Sequence, residues 1–302
     1  MTTLAGIFTP IVTPFAPDGS LDEAGLKANV ERYMTTPLTG LVVLGSNGEA
    51  PQLEDAEADR AIAVARSAMP GDRPLVAGTG RESTSAAIAA TRRAADLGAD
   101  AVLVRTPSFF KGQMTSDVFV RHYTAVADRS PVPVLLYNVT MYTGVNLLPD
   151  AVATLCHHPN IVGMKESGSD MAQVAEYLAR VEDGFIVLAG AASTYYAALA
   201  LGVHGAILAV AGVAPALCVR MFELVKAGQF DEARQLQRRL SPIAKSVGAT
   251  SGVAGLKAAL DLLGYSGGVP RPPLGPATPA AVATLRAQLE ELSLLEASHV
   301  SR

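Results

Sequence analysis

The sequence is poor in cysteine and in charged residues, and both shortages narrow the classes of protein that it can encode. The two cysteines, Cys156 and Cys218, lie far apart and form no CxxC pair, which argues against a disulfide framework or a zinc site and fits a reducing compartment. His157 and His158 follow Cys156 directly, but adjacent residues at a helix end point in different directions, so we predict no metal there.

Clusters of basic residues are also missing. Charged residues make up 17% of the chain, the net charge is -4, and no group of lysines and arginines is interleaved with aromatic residues. We therefore expect no nucleic-acid-binding surface, and we expect a small metabolite as the partner.

No segment reads as a membrane span or a targeting signal. Residues 197–219 are nearly all apolar or small, but three glycines and Pro215 interrupt them, so we predict buried core. The N-terminus has no basic segment followed by an apolar one, and a strand-like run begins at Gly6. We therefore expect no cleaved targeting peptide, no membrane association and a cytoplasmic location.

What is present is a regular alternation of short apolar strands and amphipathic helices, in a chain of 302 residues that is 49% hydrophobic. This alternation predicts a parallel sheet with crossover helices, and eight strands are the number that closes an α/β TIM barrel of the (β/α)8 type. The predicted strands are Gly6 to Val12, Gly40 to Leu44, Leu75 to Gly78, Ala101 to Arg105, Val134 to Tyr137, Ile161 to Met164, Phe185 to Ala189 and Gly205 to Ala209.

After the eighth strand the pattern becomes wholly helical. The predicted helices are Pro215 to Ala227, Phe230 to Lys245, Val253 to Leu263 and Thr278 to Ala297. A connection rich in glycine and proline separates the last two. We therefore expect a barrel over residues 1–212 and a C-terminal helical layer, packed on that barrel, over residues 213–302.

A lysine at the end of the sixth strand is the first candidate for chemistry. The apolar run Ile161 to Met164 is followed directly by Lys165, whose stem would lie against the core while its ammonium group is desolvated or paired. A desolvated lysine gives up its proton more readily, and the free amine attacks a ketone to form a Schiff base. A lysine that merely extends past the strand end to solvent is the alternative from this stretch alone.

The carboxyl ends of barrel strands meet at one mouth, where catalysis takes place in such barrels. Tyr137 ends the neighbouring strand and can carry protons for the amine, although strand-end tyrosines often only pack. The loop Gly45 to Glu49 brings Ser46 and Asn47 to the same mouth, where its backbone amides can bind a carboxylate and the Ser46 hydroxyl can relay a proton to Tyr137. An ordinary strand-to-helix turn looks similar, so the position at the mouth is the informative feature.

Several motifs, taken in order, point to one family. Gly-Ser-Asn-Gly-Glu at 45–49, Leu-Tyr-Asn-Val at 136–139 and Gly-Met-Lys-Glu-Ser at 163–167 resemble the dihydrodipicolinate synthase/N-acetylneuraminate lyase family of pyruvate-dependent class I aldolases. Shorter matches extend the resemblance over nearly the whole chain. The resemblance implies a (β/α)8 barrel with a helical C-terminal extension, a lysine Schiff base with pyruvate, no metal or cofactor, and a homotetramer built from dimers.

The resemblance also implies residue roles. Lys165 is the Schiff-base lysine, Tyr137 the proton-shuttling phenol, Ser46 and Asn47 the hydroxyl and carboxylate-binding pair, and Ile207 a main-chain contact to pyruvate. A protonated imine at C2 withdraws electrons, so a C3–C4 bond can form or break through an enamine. The expected partners are therefore pyruvate, or another 2-oxo acid, and an aldehyde.

Three further residues complete the predicted substrate contacts: Gly190 after the seventh strand, Tyr142 and Phe109. The last two depart from the synthases of the family. Those enzymes place an arginine that binds the carboxylate of the incoming semialdehyde where Tyr142 stands, and a phenol cannot replace a bidentate guanidinium. They place a tyrosine, donated across the dimer interface to the proton relay, where Phe109 stands.

These departures, and segments such as His158 to Lys165, lead to a specific prediction. The segments look most like 4-hydroxy-2-oxoglutarate aldolase, which forms pyruvate and glyoxylate, so the leading prediction is a Schiff-base aldolase or lyase that cleaves or forms a 4-hydroxy-2-oxo acid. The alternatives are a 4-hydroxy-tetrahydrodipicolinate (dihydrodipicolinate) synthase and a 2-oxo acid-binding barrel with weak catalysis, which Phe109 motivates.

Overall fold

The computed structural model describes residues 4–295, and over this range strands and helices alternate as predicted. Eight parallel strands pair in sequence order, and the eighth pairs with the first to close a barrel. The strands are β1 (Gly6–Pro10), β2 (Gly40–Val43), β3 (Leu75–Gly78), β4 (Ala101–Arg105), β5 (Val134–Asn138), β6 (Ile161–Glu166), β7 (Ile186–Ala189) and β8 (Gly205–Ile207). The predicted (β/α)8 fold class is confirmed.

Helices follow the strands and cover the outside of the barrel. Those of the barrel are α1 (Glu23–Met34), α2 (Asp55–Ser67), α3 (Thr84–Asp96), α4 (Ser116–Ala127), α5 (Thr140–Thr143), α6 (Pro149–Leu155), α7 (Met171–Arg180) and α8 (Tyr195–Leu201). Those after β8 are α9 (Val210–Val213), α10 (Pro215–Lys226), α11 (Phe230–Lys245), a π-helix (Ser246–Thr250), α12 (Gly252–Leu262) and α13 (Pro279–Glu291).

Local sequence signals account for several helix starts. Ser83 caps α3 by accepting a hydrogen bond from the Ala86 amide, and Asp170 caps α7 through the amides of Ala172 and Gln173. At α2, Glu54 and Glu57 form a capping box. Each cap satisfies amides that have no acceptor within the first turn of a helix, and this fixes where the helix begins.

The apolar residues divide between the inside and the outside of the barrel wall. One cluster fills the barrel and includes Phe8, Val42, Leu103 and Leu188, while a larger one packs the helices against the strands. This division follows from the alternation of side chains along each strand, since both faces of a parallel barrel are buried. The packed interior leaves the strand ends as the place for a site.

Some predicted bounds differ from the structure. β6 continues two residues past Met164, because Lys165 and Glu166 pair with residues of both β5 and β7. α13 ends at Glu291 rather than at the predicted Ala297, and Ala297 lies outside the described residues. The predicted division at residues 212 and 213 falls inside the short helix α9 and stays a prediction.

Residues 197–219 form the end of α8, then β8, α9 and the start of α10. Among the described residues, no helix is long and apolar enough to cross a membrane. The two histidines beside Cys156 also turn to different partners, since His157 contacts Glu182 at 2.6 Å and His158 contacts Asp128 at 3.1 Å.

Candidate active site

The two residues predicted to carry the chemistry lie side by side at the carboxyl ends of β5 and β6. Tyr137 and Lys165 are partners in the register of the two strands. The Nζ atom of Lys165 lies 3.4 Å from the Tyr137 hydroxyl and 4.5 Å from the centre of its ring. Each residue is only 5% exposed. An amine and a phenol in hydrogen-bond contact, both shielded from bulk water, can exchange a proton.

Ser46 extends this contact into a relay of three groups. Its Oγ atom lies 3.3 Å from the Tyr137 hydroxyl, so a continuous path joins Ser46, Tyr137 and Lys165. Ser46 begins a 3₁₀ turn, Ser46–Gly48, and within the described chain the amides of Ser46 and Asn47 donate to no acceptor. Free amides beside a hydroxyl are suited to a carboxylate oxygen.

A cavity of about 530 Å³ opens above this relay, a size typical of small-molecule sites. The sequence-predicted site residues that line it are Ser46, Asn47, Tyr137, Tyr142, Lys165, Gly190 and Ile207. Residues that sequence reasoning did not assign to the site also line it, among them Ser167, Ser169, Ser193, Ser241, Lys245 and Gly248. The barrel mouth therefore brings together nearly all the predicted residues and adds a wall from the C-terminal helices.

Gly190 is needed because the backbone passes very close to the side chains of Lys165 and Ser167. A Cβ atom built at this position would lie 2.0 Å from Ser167 Oγ and 2.8 Å from Lys165 Cε. A side chain at this position would collide with Ser167 and with the stem of Lys165, so at least one of them would have to move. Gly190 thus keeps open the space that the Lys165 side chain occupies.

Glu166, the next residue along β6, points to the opposite face of the strand, as strand geometry requires. Its carboxylate accepts hydrogen bonds from Asn138 Nδ2, at 2.7 Å, and from the Gly168 amide. Burial raises the pKa of Glu166, while the hydrogen bond from Asn138 opposes the shift. This network fixes the turn after β6 behind the cavity.

Phe109 is the one predicted contact that does not line the cavity. Its side chain is 79% exposed and meets Phe110 edge to face at 5.0 Å between ring centres. The loop is held in place through Glu82, which accepts hydrogen bonds from the amides of Ser108 and Phe109. In the described part of a single chain, Phe109 therefore presents an apolar surface and makes no contact with the relay.

The loop that carries Ser46 is held from behind by a buried ion pair. Glu49 has left-handed backbone (φ 55°), uncommon for a residue other than glycine, and its carboxylate lies 2.6 Å from Lys257 Nζ. Both side chains are fully buried. Lys257 also lies over the Phe15 ring and donates to the Val269 carbonyl at 3.1 Å.

A second carboxylate contact completes the attachment. The Arg271 amide donates to Glu49 at 2.8 Å, and the Arg271 guanidinium binds Glu57 through both of its terminal nitrogens. Burial lowers the pKa of Lys257, and the hydrogen bond and charge of Glu49 oppose this shift. The helical layer and the connection before α13 therefore set the position of the Ser46 loop.

We expect Lys257→Met to lower the free energy of unfolding by about 3–5 kcal/mol, because it leaves the Glu49 carboxylate buried without its cation. Urea titrations at one fixed protomer concentration measure the change.

The double variant Glu49→Gln/Lys257→Met is the control. Its neutral amide still accepts from the Arg271 amide, so it should be more stable than Lys257→Met alone. A single variant within about 1 kcal/mol of the unmodified protein would show that the pair contributes little.

The sequence gave no reason to assign Lys257 or Lys245 to the site. Lys257, the partner of Glu49, lies 208 positions away from it along the chain. Lys245, which lines the cavity, is an ordinary basic residue in the last turn of α11.

Comparisons with known proteins assign this geometry to a family. The sequence profile of the Dihydrodipicolinate synthetase family matches residues 3–292. A 4-hydroxy-tetrahydrodipicolinate synthase of Xanthomonas axonopodis pv. citri is 40% identical over 97% of this chain and 98% of its own length. One from Methanothrix thermoacetophila is 38% identical over 95% of this chain and 97% of its own.

A solved structure agrees with these relatives. The crystal structure of dihydrodipicolinate synthase from Thermotoga maritima superposes with a TM-score of 0.92 at 31% identity and covers 96% of this chain and 99% of its own. The resemblance to this family is confirmed along nearly the whole chain.

The prediction of a 4-hydroxy-2-oxoglutarate aldolase is wrong. Relatives at 38% and 40% identity over almost the full length are 4-hydroxy-tetrahydrodipicolinate synthases, which supports the alternative stated with that prediction. The error has a physical source. The segments used, such as His158 to Lys165, build the strand that carries Lys165, the predicted Schiff-base lysine, and Schiff-base chemistry does not depend on which aldehyde is bound.

Proposed function

Because the chain belongs to the dihydrodipicolinate synthetase family, we propose that it joins pyruvate to aspartate semialdehyde through a Schiff base on Lys165, as a 4-hydroxy-tetrahydrodipicolinate synthase. Members of the family are pyruvate-dependent lyases, and this chain is one of them. What we propose is the identity of the aldehyde and the roles of the residues. The main structural support is the relay of Ser46, Tyr137 and Lys165 at the base of the cavity.

The first half of the reaction needs a nucleophile and a proton carrier. The Lys165 amine adds to C2 of pyruvate, and the resulting carbinolamine loses water to give a protonated imine. Tyr137 lies within 3.4 Å of that nitrogen and can protonate the departing hydroxyl, while Ser46 replaces the proton from the other side. The amides of Ser46 and Asn47 bind the pyruvate carboxylate in this arrangement.

The second half forms the carbon–carbon bond. Loss of a C3 proton converts the imine to an enamine, whose C3 attacks the aldehyde carbon, and the aldehyde oxygen takes up a proton. A second nucleophile, either water or the amino group of the bound semialdehyde, then replaces Lys165 at C2 and frees the enzyme. No step requires an oxidant or a reductant.

We expect the protein to consume pyruvate and aspartate semialdehyde in equal amounts and to form a product that contains both carbon skeletons. Mass spectrometry of the mixture measures all three species, and a panel of other aldehydes tests selectivity. Lys165→Ala is the control, since it removes the nucleophile and should give no product.

The departures at Tyr142 and Phe109 make two other outcomes informative. Pyruvate trapping on Lys165 without consumption of any aldehyde would favour a 2-oxo acid-binding barrel with weak catalysis. Turnover of other aldehydes but not of aspartate semialdehyde would contradict the proposed substrate and leave the Schiff-base chemistry intact.

We also propose a homotetramer built from dimers in the cytoplasm. The exposed pair Phe109 and Phe110 supports the assembly, since a large apolar patch at the surface is typical of an interface between chains. Sedimentation of the purified protein measures the assembly. A monomer at micromolar concentration would contradict it.

A further inference from the structure

We propose that Lys245 binds the carboxylate of the second substrate, so that the cavity is specific for aldehydes that carry an anionic group. This inference rests on the proposed function, because it assigns a role within the same site. Lys245 is the last residue of α11 and lines the cavity above Lys165.

The charge of the cavity wall is the first observation. Of the described residues that line it, only Lys165 and Lys245 carry a charge, and none is acidic. The whole chain has a net charge of -4, so two lysines in one cavity with no acidic residue in its lining are a local feature. Once Lys165 is bound to C2 of pyruvate and the pyruvate carboxylate is held by the amides of Ser46 and Asn47, Lys245 is the cation of this lining that can pair with the carboxylate of the second substrate.

The second observation is that Lys245 is not used elsewhere. Its side chain is exposed, and within residues 4–295 it forms no ion pair or hydrogen bond. Lys165, in contrast, is buried beside Tyr137. The Lys245 ammonium group is therefore available to a ligand that enters the mouth.

The third observation is how α11 is held over the mouth. Gln237, two turns before Lys245, donates to the Ala192 carbonyl and accepts from the Tyr196 amide, each at 3.0 Å. Ala192 lies in the loop after β7 and lines the same cavity. Because the nitrogen of this one side-chain amide binds the loop after β7 and its oxygen binds the first turn of α8, α11 is held close to the carboxyl end of β7.

The backbone after Lys245 adds room. A π-helix, Ser246–Thr250, follows directly, and such turns are frequent at functional sites. Its Gly248 lines the cavity, and a Cβ atom built there would meet nothing within 4 Å. Lys245 can thus reach a ligand beside a wall of small residues.

Tyr142 also lies near the proposed position of the second substrate, but its neutral side chain supplies no positive charge for a carboxylate. It lines the same cavity, and burial raises its pKa, with the neighbouring Tyr137 adding to the shift. A neutral phenol donates one hydrogen bond, whereas an ammonium group supplies charge, and charge-assisted bonds are roughly twice as strong. Lys245 provides the positive charge that Tyr142 lacks.

The test is Lys245→Met, followed by two measurements. We expect the KM for aspartate semialdehyde to rise about tenfold or more, as for the loss of a hydrogen bond to a charged group, with the KM for pyruvate unchanged. The second measurement needs no turnover. Borohydride trapping of 2-oxoadipate, which carries a distal carboxylate, should require a higher concentration in the variant, whereas trapping of pyruvate should not.

Two further variants separate charge recognition from helix stability. Lys245→Arg should restore most of the affinity in both measurements. Arg239→Met removes an exposed cation of the same helix that does not line the cavity, and it should change neither.

The test of Lys245 can fail or succeed independently of the test of the proposed substrate. If the unmodified protein does not turn over aspartate semialdehyde, the proposed substrate fails and the 2-oxoadipate comparison still decides the role of Lys245. Equal trapping of 2-oxoadipate by the Lys245→Met variant and the unmodified protein would overturn the inference.

Discussion

Replacing Lys165 by alanine should slow the exchange of the pyruvate C3 protons with deuterated water by about 10⁴-fold or more, the scale of effect for removing a nucleophile from a catalytic unit. We expect this because the C3 protons are far more acidic in a protonated imine than in free pyruvate, and in the proposed reaction the imine forms on this amine. Proton NMR of pyruvate in deuterated water measures the exchange rate. This readout does not depend on which aldehyde the enzyme accepts.

Two further variants serve as controls for this result, one expected to be inactive and one expected to be fully active. Lys165→Arg keeps the positive charge and a long stem but offers no free amine, so it should be as inactive as the alanine variant. Lys27→Ala removes a surface lysine that pairs with Glu31 outside the cavity, and its exchange rate should match that of the unmodified protein. Exchange at the normal rate in Lys165→Ala would place the chemistry on another group.

Replacing Tyr137 by phenylalanine should have the next largest effect. We expect the exchange rate to fall by about 10²–10⁴-fold, the usual contribution of a general acid and base. The change removes only the hydroxyl that contacts both Lys165 and Ser46 and leaves the packing of the ring. Prolonged incubation with pyruvate and borohydride should still label Lys165, because the nucleophile remains.

Tyr123→Phe is a matched control for the loss of a buried hydroxyl. Tyr123 is fully buried and donates to the Val104 carbonyl at 3.1 Å, away from the cavity. Its variant should lose some stability and keep the exchange rate. A Tyr137→Phe variant as fast as Tyr123→Phe would mean that the phenol carries no proton in the reaction.

The sequence predicted the barrel well because alternating strands and helices leave a strong periodic signal. β3 and β4 have the predicted bounds, Leu75–Gly78 and Ala101–Arg105. β6 runs longer than predicted because an apolar run marks burial, whereas backbone pairing to both neighbours continues through Lys165 and Glu166.

The part of the site that lies at the ends of the barrel strands could also be predicted from the sequence. Ser46, Tyr137 and Lys165 each end or follow a strand, and closure of the barrel brings strand ends together whatever the details of packing. The contact chain at 3.3 and 3.4 Å is the direct consequence.

The part of the site that comes from the C-terminal helices could not be predicted in the same way. Lys245 reaches the barrel mouth because α11 folds back over the barrel, and Lys257 reaches the Ser46 loop because α12 does so. No local sequence pattern encodes that packing. The aldehyde was predicted incorrectly for a related reason. The motifs near Lys165 are typical of Schiff-base chemistry, whereas the residues proposed to contact the aldehyde come from distant parts of the chain.

The role of Lys165 is tested most directly by incubating the protein with pyruvate, reducing it with borohydride and mapping the modified peptide by mass spectrometry. We expect one reduced pyruvate per chain, attached to the peptide that contains Lys165, and no such adduct without pyruvate. An unmodified Lys165 peptide, or a label on another lysine, would contradict this role.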